Sequence, residues 1–141
     1  MTEGANARLI RDMFAAANRA VEIGSFDEWR NFFSENIVWE AAEDAPDAGT
    51  YRGLEGIRGY VQDWVDTVDG FRQEPRELTE VGDRVVADIH FEARIKGTDN
   101  GMALDYSQVS LIEGGVITHI KEFLEHDAAV AYAEACERGG P

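Results

Sequence analysis

The stretch of sequence that decides the fold runs from residue 81 to residue 98 and is VGDRVVADIHFEARIKGT. Between Val85 and Ile95, apolar side chains alternate with side chains that are mostly polar or charged, the pattern of a strand with one buried face. Glycine-rich turn signals surround this strand and fall at residues 82–83, 97–101 and 114–115. The chain after Gly70 therefore predicts a meander of four consecutive strands.

The first half of the chain is mainly helical in its pattern. Apolar residues recur at helical spacing from about Asn6 to Glu22, and again from about Leu54 to Val68, which predicts two amphipathic helices. Between them, Ser25 and Glu28 have the spacing of a capping box, which predicts a short helix that ends near Phe33.

The remaining segments complete an α+β order of elements. Residues 37–39, Ile-Val-Trp, favour a short strand, and residues 41–53 are typical of a loop because they contain proline and glycine. An alanine-rich helix is expected after residue 125. This order indicates helices on one side of a largely antiparallel sheet.

Size, charge and cysteine content restrict the classes of function. A chain of 141 residues is expected to form one domain, residues 1–141. Its 13 basic and 28 acidic residues give a net charge of −15, which repels nucleic acid and disfavours anionic membranes. The single cysteine, Cys136, excludes a disulfide within the chain, and no apolar run reaches membrane-spanning length. We therefore expect a cytoplasmic protein that binds neither nucleic acid nor membrane.

Three segments carry a family resemblance. They are FFSENIVWEAAEDAPDAGTYRGLEGIRGYV at residues 32–61, the stretch at residues 81–98, and SLIEGGVITHIKEFLEHDAA at residues 110–129. Together they resemble the SnoaL-like branch of the nuclear transport factor 2-like superfamily over nearly the whole chain. The resemblance implies a cone-shaped α+β fold, in which a curved, mainly antiparallel sheet wraps around helices and encloses one central pocket.

The resemblance also shows where the chain departs from its relatives. Ketosteroid isomerases carry a carboxylate base on the first strand and a tyrosine on the first helix, and the matching positions here are Ala41 and Ala17. Limonene epoxide hydrolases carry an arginine and an aspartate facing the pocket on the second long strand, where this chain has Ile89 and Phe91. These replacements argue against both chemistries.

One pocket-facing acid is kept. The acid on the final strand of epoxide hydrolases and polyketide cyclases matches Glu122, and Gln108 falls where the isomerases place a hydrogen-bonding acid. We expect Glu122 to be the catalytic acid or base, with Tyr106 and Gln108 as hydrogen-bond donors to developing negative charge. Loss of hydration beside apolar neighbours would raise the proton affinity of the carboxylate. The alternative is a structural glutamate at a strand edge or in an ion pair.

With the family's register, the resemblance implies that Thr118, Ile120, Glu122 and Leu124 of the final strand point inward. Apolar residues occur on both faces of this strand, so alternation alone leaves its orientation open. Aromatic and apolar residues are expected to contact a small hydrophobic ligand. They are Trp39, Tyr60, Trp64, Phe91, Leu104 and Ile120. Plain core packing is the alternative for several of them.

No metal and no cofactor are expected. The three histidines and Cys136 lack the spacing of a zinc site, and no HExxH motif is present. Gly53, Gly56 and Gly59 lack the spacing of a dinucleotide-binding loop.

Two functions remain in competition. One is a cofactor-independent enzyme that acts by proton transfer on a small hydrophobic molecule, as an isomerase, cyclase, dehydratase or hydrolase. The other is a non-catalytic domain of the same fold that binds a ligand or dimerises. A homodimer is expected through the outer sheet face, where Asp88, His90, Glu92 and Arg94 form a polar row.

Overall fold

The computed structural model describes residues 4–43 and 48–138. Within them lie three α-helices and one short 3₁₀ helix at Trp29–Phe32. The α-helices are α1 (Ala5–Ile23), α2 (Gly53–Thr67) and α3 (His126–Glu137). The strands are β1 (Phe33–Glu40), β2 (Thr50–Arg52), β3 (Val68–Val81), β4 (Arg84–Ile95), β5 (Gly101–Glu113) and β6 (Val116–Phe123).

The six strands form one sheet in the order β2-β1-β6-β5-β4-β3. β1 runs parallel to β6, and the other neighbouring strands are antiparallel. The α+β class is confirmed, and the predicted meander is β3 to β6. The loop predicted over residues 41–53 was partly wrong, because β2 lies within it and pairs with β1. Residues 44–47 of that loop lie outside the described residues.

The main core lies between the inner face of the sheet and the helices α1 and α2. Ile10, Met13 and Phe14 of α1 are buried against apolar side chains of the sheet, including Val85 and Ile89 of β4. The helical period of α1 and the two-residue period of β4 thus present their apolar faces to each other.

The helices were predicted on one side of the sheet, but α3 partly covers the outer face, which corrects that prediction. Ala129 and Ala133 of α3 are fully buried with Val86 of β4 and Val109 of β5. The sheet is therefore buried on both faces here, which explains why apolar residues interrupt the alternation of both strands. Alternation in β4 places Val86 on the same face as Asp88, His90 and Glu92, but Val86 is only 2% exposed because α3 covers it.

α1 runs along the free edge of the sheet, which is β3. Asn18 Nδ2 donates to the Gln73 carbonyl oxygen at 2.8 Å, and the Gln73 backbone N–H donates to Asn18 Oδ1 at 2.9 Å. Arg11 donates to the Pro75 carbonyl oxygen at 3.3 Å. These bonds satisfy edge groups that have no neighbouring strand, and Pro75 itself supplies no N–H.

A bulge in β6 changes the predicted inward face. The register between β5 and β6 shifts between Leu111 and Ile112, and Ile117 is fully buried in the core. Thr118 Oγ1 instead donates to Glu113 at 2.8 Å, so the expected inward position of Thr118 was wrong. After the bulge, Ile120 is again buried in the core, on the inward face that the resemblance implied.

The predicted capping box is not formed. Glu28 accepts two hydrogen bonds from the Arg19 guanidinium, at 2.9 and 2.8 Å, and makes no side-chain cap. The Arg19 donors lower the pKa of the Glu28 carboxyl despite partial desolvation. Only the 3₁₀ turn at Trp29–Phe32 remains of the helix expected there.

Candidate functional site

A cavity lies between α1, α2 and the inner face of the sheet. The cavity has a volume of about 90 Å³. One water molecule needs roughly 10–15 Å³ on the same measure. Most of its wall is aromatic or aliphatic, and polar groups of Gln73, Tyr106 and Glu122 interrupt it. A wall of this composition suits a small, largely apolar ligand.

Seven of the nine predicted site residues line this cavity, namely Trp39, Tyr60, Trp64, Phe91, Leu104, Tyr106 and Glu122. Gln108 and Ile120 do not belong to the lining and lie in the interior, with exposed fractions of 1% and 0%. Ile120 was expected to contact the ligand, but in this structure it does not line the cavity.

Glu122 has both carboxylate oxygens engaged. The Tyr60 hydroxyl donates to Oε1 at 3.1 Å, and Gln108 Nε2 donates to Oε2 at 3.2 Å. Gln108 and Glu122 are register partners on β5 and β6, so the sheet itself sets the second contact. Two donors from two directions hold the carboxylate in place.

Gln108 contacts Glu122 and does not belong to the lining of the cavity. Its Nε2 is committed to the carboxylate, and its buried Oε1 has no hydrogen-bond partner among the described residues. Gln108 was expected to donate to developing negative charge on the ligand, and in this structure its Nε2 donates to the Glu122 carboxylate.

Tyr106 belongs to a second polar group in the wall. Gln73 Nε2 donates to the Tyr106 hydroxyl oxygen at 2.8 Å, and the Gln73 backbone is held by Asn18. Sequence reasoning missed Gln73 and Asn18. The signals were present: Gln73 shares the parity of Phe71 on β3, and Asn18 follows Phe14 by one helical turn on the buried face of α1.

Aromatic contacts hold the rings of the wall. The Tyr60 ring stacks on Tyr51 with centroids 4.3 Å apart, and it meets Trp39 edge to face at 5.7 Å. Trp64 meets Phe91 edge to face at 5.5 Å. Because Tyr60 is held by two rings, its hydroxyl is directed to Glu122 by packing as well as by hydrogen bonding.

Trp39 carries a buried donor without an acceptor. The residue lines the cavity and is 6% exposed, and its indole Nε1 finds no hydrogen-bond partner among the described residues. An unpaired buried donor of this kind costs about 1–3 kcal/mol.

The three histidines lie away from the cavity wall, each beside carboxylates. His90 contacts Asp105 at 2.6 Å and Glu92 at 2.9 Å, and hydrogen bonds to these acids raise the pKa of His90. His126 contacts Asp88 at 2.8 Å, which raises the pKa of His126 in the same way.

On β1, burial opposes ionisation of Glu40, but hydrogen bonding to His119 and the charge of Lys121 outweigh it and lower the pKa of Glu40. The Glu40 and His119 side chains are 2.6 Å apart at their closest atoms. Glu40 on β1 therefore pairs with His119 and Lys121 on the neighbouring strand β6.

In the residues that the structure describes, no group of three or more His, Cys, Asp or Glu side chains is placed to hold a metal ion. No helix in that part of the chain is both long enough and apolar enough to cross a membrane.

Comparison with known proteins identifies the family. The family model described as SnoaL-like domain matches residues 10–120, so the chain belongs to the SnoaL-like family. The chain matches none of the curated proteins.

Solved structures share the fold. TerC, co-crystallised with polyporic acid, has a TM-score of 0.72 and 22% identity, over 93% of this chain and 99% of TerC. A hypothetical protein with a ketosteroid isomerase-like protein fold from Catenulispora acidiphila DSM 44928, in complex with trimethylamine, has a TM-score of 0.67 and 16% identity, over 92% of this chain and 93% of that chain. A putative SnoaL-like polyketide cyclase from Jannaschia sp. CCS1 has a TM-score of 0.67 and 10% identity, over 96% and 98%.

Proposed function

We propose that this SnoaL-like domain is a cofactor-independent enzyme that acts by proton transfer on a small hydrophobic molecule, with Glu122 as acid or base. The reaction is of the isomerase, cyclase, dehydratase or hydrolase type. The observation that carries the proposal is the position of Glu122, which supplies the only carboxylate among the described residues of an otherwise largely apolar wall.

The geometry supports a base that is held in place before the ligand binds. The Glu122 carboxylate accepts a proton from the ligand, becomes the neutral acid and leaves the electron pair on the ligand. It then returns the proton to another ligand atom or to a leaving group. Tyr60 and Gln108 keep the carboxylate oriented through this cycle, because each donates to a different oxygen.

The composition of the cavity wall supports the proposal of a small hydrophobic ligand. Two proteins of the same fold were crystallised with small molecules, polyporic acid and trimethylamine. Aromatic walls exclude water from the carboxylate and strengthen electrostatic interactions with a bound ligand.

Replacement of Glu122 by Gln tests the proposal. Glu122→Gln keeps the size of the side chain but cannot take up a proton, so the single-turnover rate should fall about 10²- to 10⁴-fold while ligand binding changes little. Glu125→Gln is the matched control, because Glu125 is exposed and makes no side-chain cap on α3. Melting temperatures of both variants are measured alongside the rates. An unchanged rate in a normally folded Glu122→Gln protein excludes the catalytic role.

A non-catalytic ligand-binding domain is the second candidate. The positions that resemble those of the isomerase and hydrolase acids are occupied by Ala41, Ile89 and Phe91, all at most 5% exposed. For a binding domain, Glu122→Gln should change ligand affinity, with no rate to lose.

We further propose a homodimer through the part of the outer face that α3 leaves uncovered. Asp88, His90, Glu92 and Arg94 project from β4 on that side, and His90 is already paired with acids of its own chain. Sedimentation velocity at micromolar to millimolar concentration should show a dimer, and His90→Glu should weaken it because it adds a like charge at a twofold contact. A monomer over the whole range contradicts the proposal, as does a dimer that buries a different surface.

A further inference from the structure

We propose that the side-chain oxygen of Gln73 accepts a hydrogen bond from the ligand, and that the ligand is a largely apolar compound with a neutral donor, such as a hydroxyl group, remote from Glu122. The inference rests on the proposed function of the same cavity. It adds a second polar contact, which selects and orients the ligand and takes no part in proton transfer.

The first observation is that Gln73 is held in place before any ligand binds. Its backbone makes two hydrogen bonds with the Asn18 side chain, at 2.8 and 2.9 Å, and its Nε2 donates to the Tyr106 hydroxyl oxygen at 2.8 Å. A side chain that is already ordered loses little further conformational entropy when it binds a ligand. Gln73 therefore has the rigidity expected of a residue that determines specificity.

The second observation is the acceptor that this arrangement leaves over. Gln73 Oε1 makes no hydrogen bond within the described part of the chain, yet it is not among the polar atoms that are both buried and unpaired there. It is therefore accessible, in contrast to Gln108 Oε1. Nε2 and Oε1 are bonded to the same carbon, and Nε2 contacts Tyr106, which lines the cavity as Gln73 does. Oε1 thus belongs to the polar part of the wall.

The third observation is the separation of Gln73 from the carboxylate. Gln73 lies on β3 and Glu122 on β6, with β4 and β5 between them. Three strand spacings of about 4.8 Å place their backbones roughly 14 Å apart along the sheet. Phe91 and Leu104, register partners on the two intervening strands, also line the cavity. A ligand that reaches both polar groups is therefore apolar in its middle.

The charge of the wall determines which donor suits Gln73. An amide oxygen accepts hydrogen bonds but carries no full charge. An ammonium group beside it would lose hydration without gaining a counter-ion, because the described lining contains one carboxylate, that of Glu122, at a distance. A hydroxyl group needs only the acceptor, whereas a purely apolar ligand would leave Oε1 unpaired.

This contact also orients the ligand. When the donor of the ligand is bonded to Gln73, the opposite end of the ligand faces Glu122. The position of the reacting atom relative to a catalytic group strongly affects the rate. Gln73 thus selects which ligand atom exchanges a proton with Glu122.

Paired probes test the inference without any need for turnover. 2-Naphthol and 2-methylnaphthalene have nearly the same shape, and only the first carries a hydroxyl donor. Gln73→Met removes the amide and leaves the backbone groups that bond to Asn18. It should weaken binding of 2-naphthol at least about fivefold, the ratio expected for loss of one hydrogen bond of about 1 kcal/mol. Binding of 2-methylnaphthalene, which reports the shape of the wall, should stay nearly unchanged.

The matched control is Gln62→Met. Gln62 bonds to Asp66 on α2 and does not line the cavity, so this substitution should change neither affinity.

NMR gives a second readout that needs no folded Gln73 variant. The chain has three glutamines, Gln62, Gln73 and Gln108, so few side-chain carbonyl signals need assignment. In the wild type, 2-naphthol should move the Gln73 carbonyl carbon signal further downfield than 2-methylnaphthalene does, because an accepted hydrogen bond deshields that carbon. The Gln62 signal should respond to neither probe.

Three outcomes overturn the inference: 2-naphthol fails to bind at millimolar concentration, Gln73→Met binds it as tightly as the wild type does, or the Gln73 signal responds equally to both probes. The proposed proton transfer fails separately, when a folded Glu122→Gln protein turns over at the normal rate. A loss of 2-naphthol affinity in Gln73→Met supports the binding step whatever that rate is.

Discussion

The two faces of the sheet use polar residues in opposite ways. On the inner face, a few polar side chains lie among aromatic rings and bond to one another, as Glu122 does with Tyr60 and Gln108. On the outer face, acids and histidines such as Asp88 and His126 form pairs that remain partly exposed. Burial makes the inner bonds costly to break, while solvent screens the outer pairs.

This difference separates contacts that stabilise the fold from contacts that respond to the solution conditions. Hydrogen bonds that bridge α1, β3 and β5 hold the cavity wall together, so their loss acts on folding. The pairs on the outer face respond mainly to pH and salt. The contrast is open to test with one substitution on each side of the molecule.

Asn18→Ala tests the inner side and should have the larger effect. It removes both hydrogen bonds to the Gln73 backbone and leaves a donor and an acceptor of β3 unpaired. We expect the free energy of unfolding to fall by about 1–3 kcal/mol, measured by urea denaturation. Asn36→Ala, at an exposed asparagine of β1, is the control and should change stability by less than about 0.5 kcal/mol. Equal effects at both positions would remove the distinction between the two faces.

His126→Gln tests the outer side and should have the smaller, pH-dependent effect. Asp88 raises the pKa of His126 above its usual 6.5, so the native state favours the charged imidazole. Its contribution is fully present below the unfolded pKa and is lost as the pH rises through the raised native pKa. The His126 side chain is 48% exposed, so screening should keep the difference below about 1 kcal/mol.

The measurement is the difference in unfolding free energy between wild type and His126→Gln at pH 5.5 and at pH 8.5. The difference should be larger at pH 5.5 than at pH 8.5. Because His90 is present in both proteins, its own titration cancels. A difference that does not change with pH contradicts the assignment.

Local patterns predicted most of the fold. The alternation in β4 and the turns around it were sufficient for the meander, because one face of that sheet is buried against α1 and α2. The errors arose where a tertiary contact overrode the local pattern. α3 buries Val86 on the outer face, and the bulge in β6 turns Thr118 away from the cavity. Neither the packing partner nor the register shift is visible in the period of a single strand.

The site was predicted less completely than the fold. Parity placed Tyr106 on the inner face and the family resemblance placed Glu122 there, but neither could show that Gln108 donates to Glu122 instead of facing the cavity. That distinction depends on side-chain direction and on the pairing of β5 with β6. Asn18 and Gln73 were missed because their contact joins residues 55 positions apart in the chain.

Because α1 covers the edge strand β3, it also restricts how copies of the chain can associate. An open edge strand is a template for another extended chain, and proteins protect such edges to prevent fibril-like growth. Here the long edge is occupied by side chains of α1 and interrupted by Pro75, and the opposite edge, β2, spans only three residues. In the part of the chain that the structure describes, strand addition is thus disfavoured at both ends of the sheet, which leaves its faces for association.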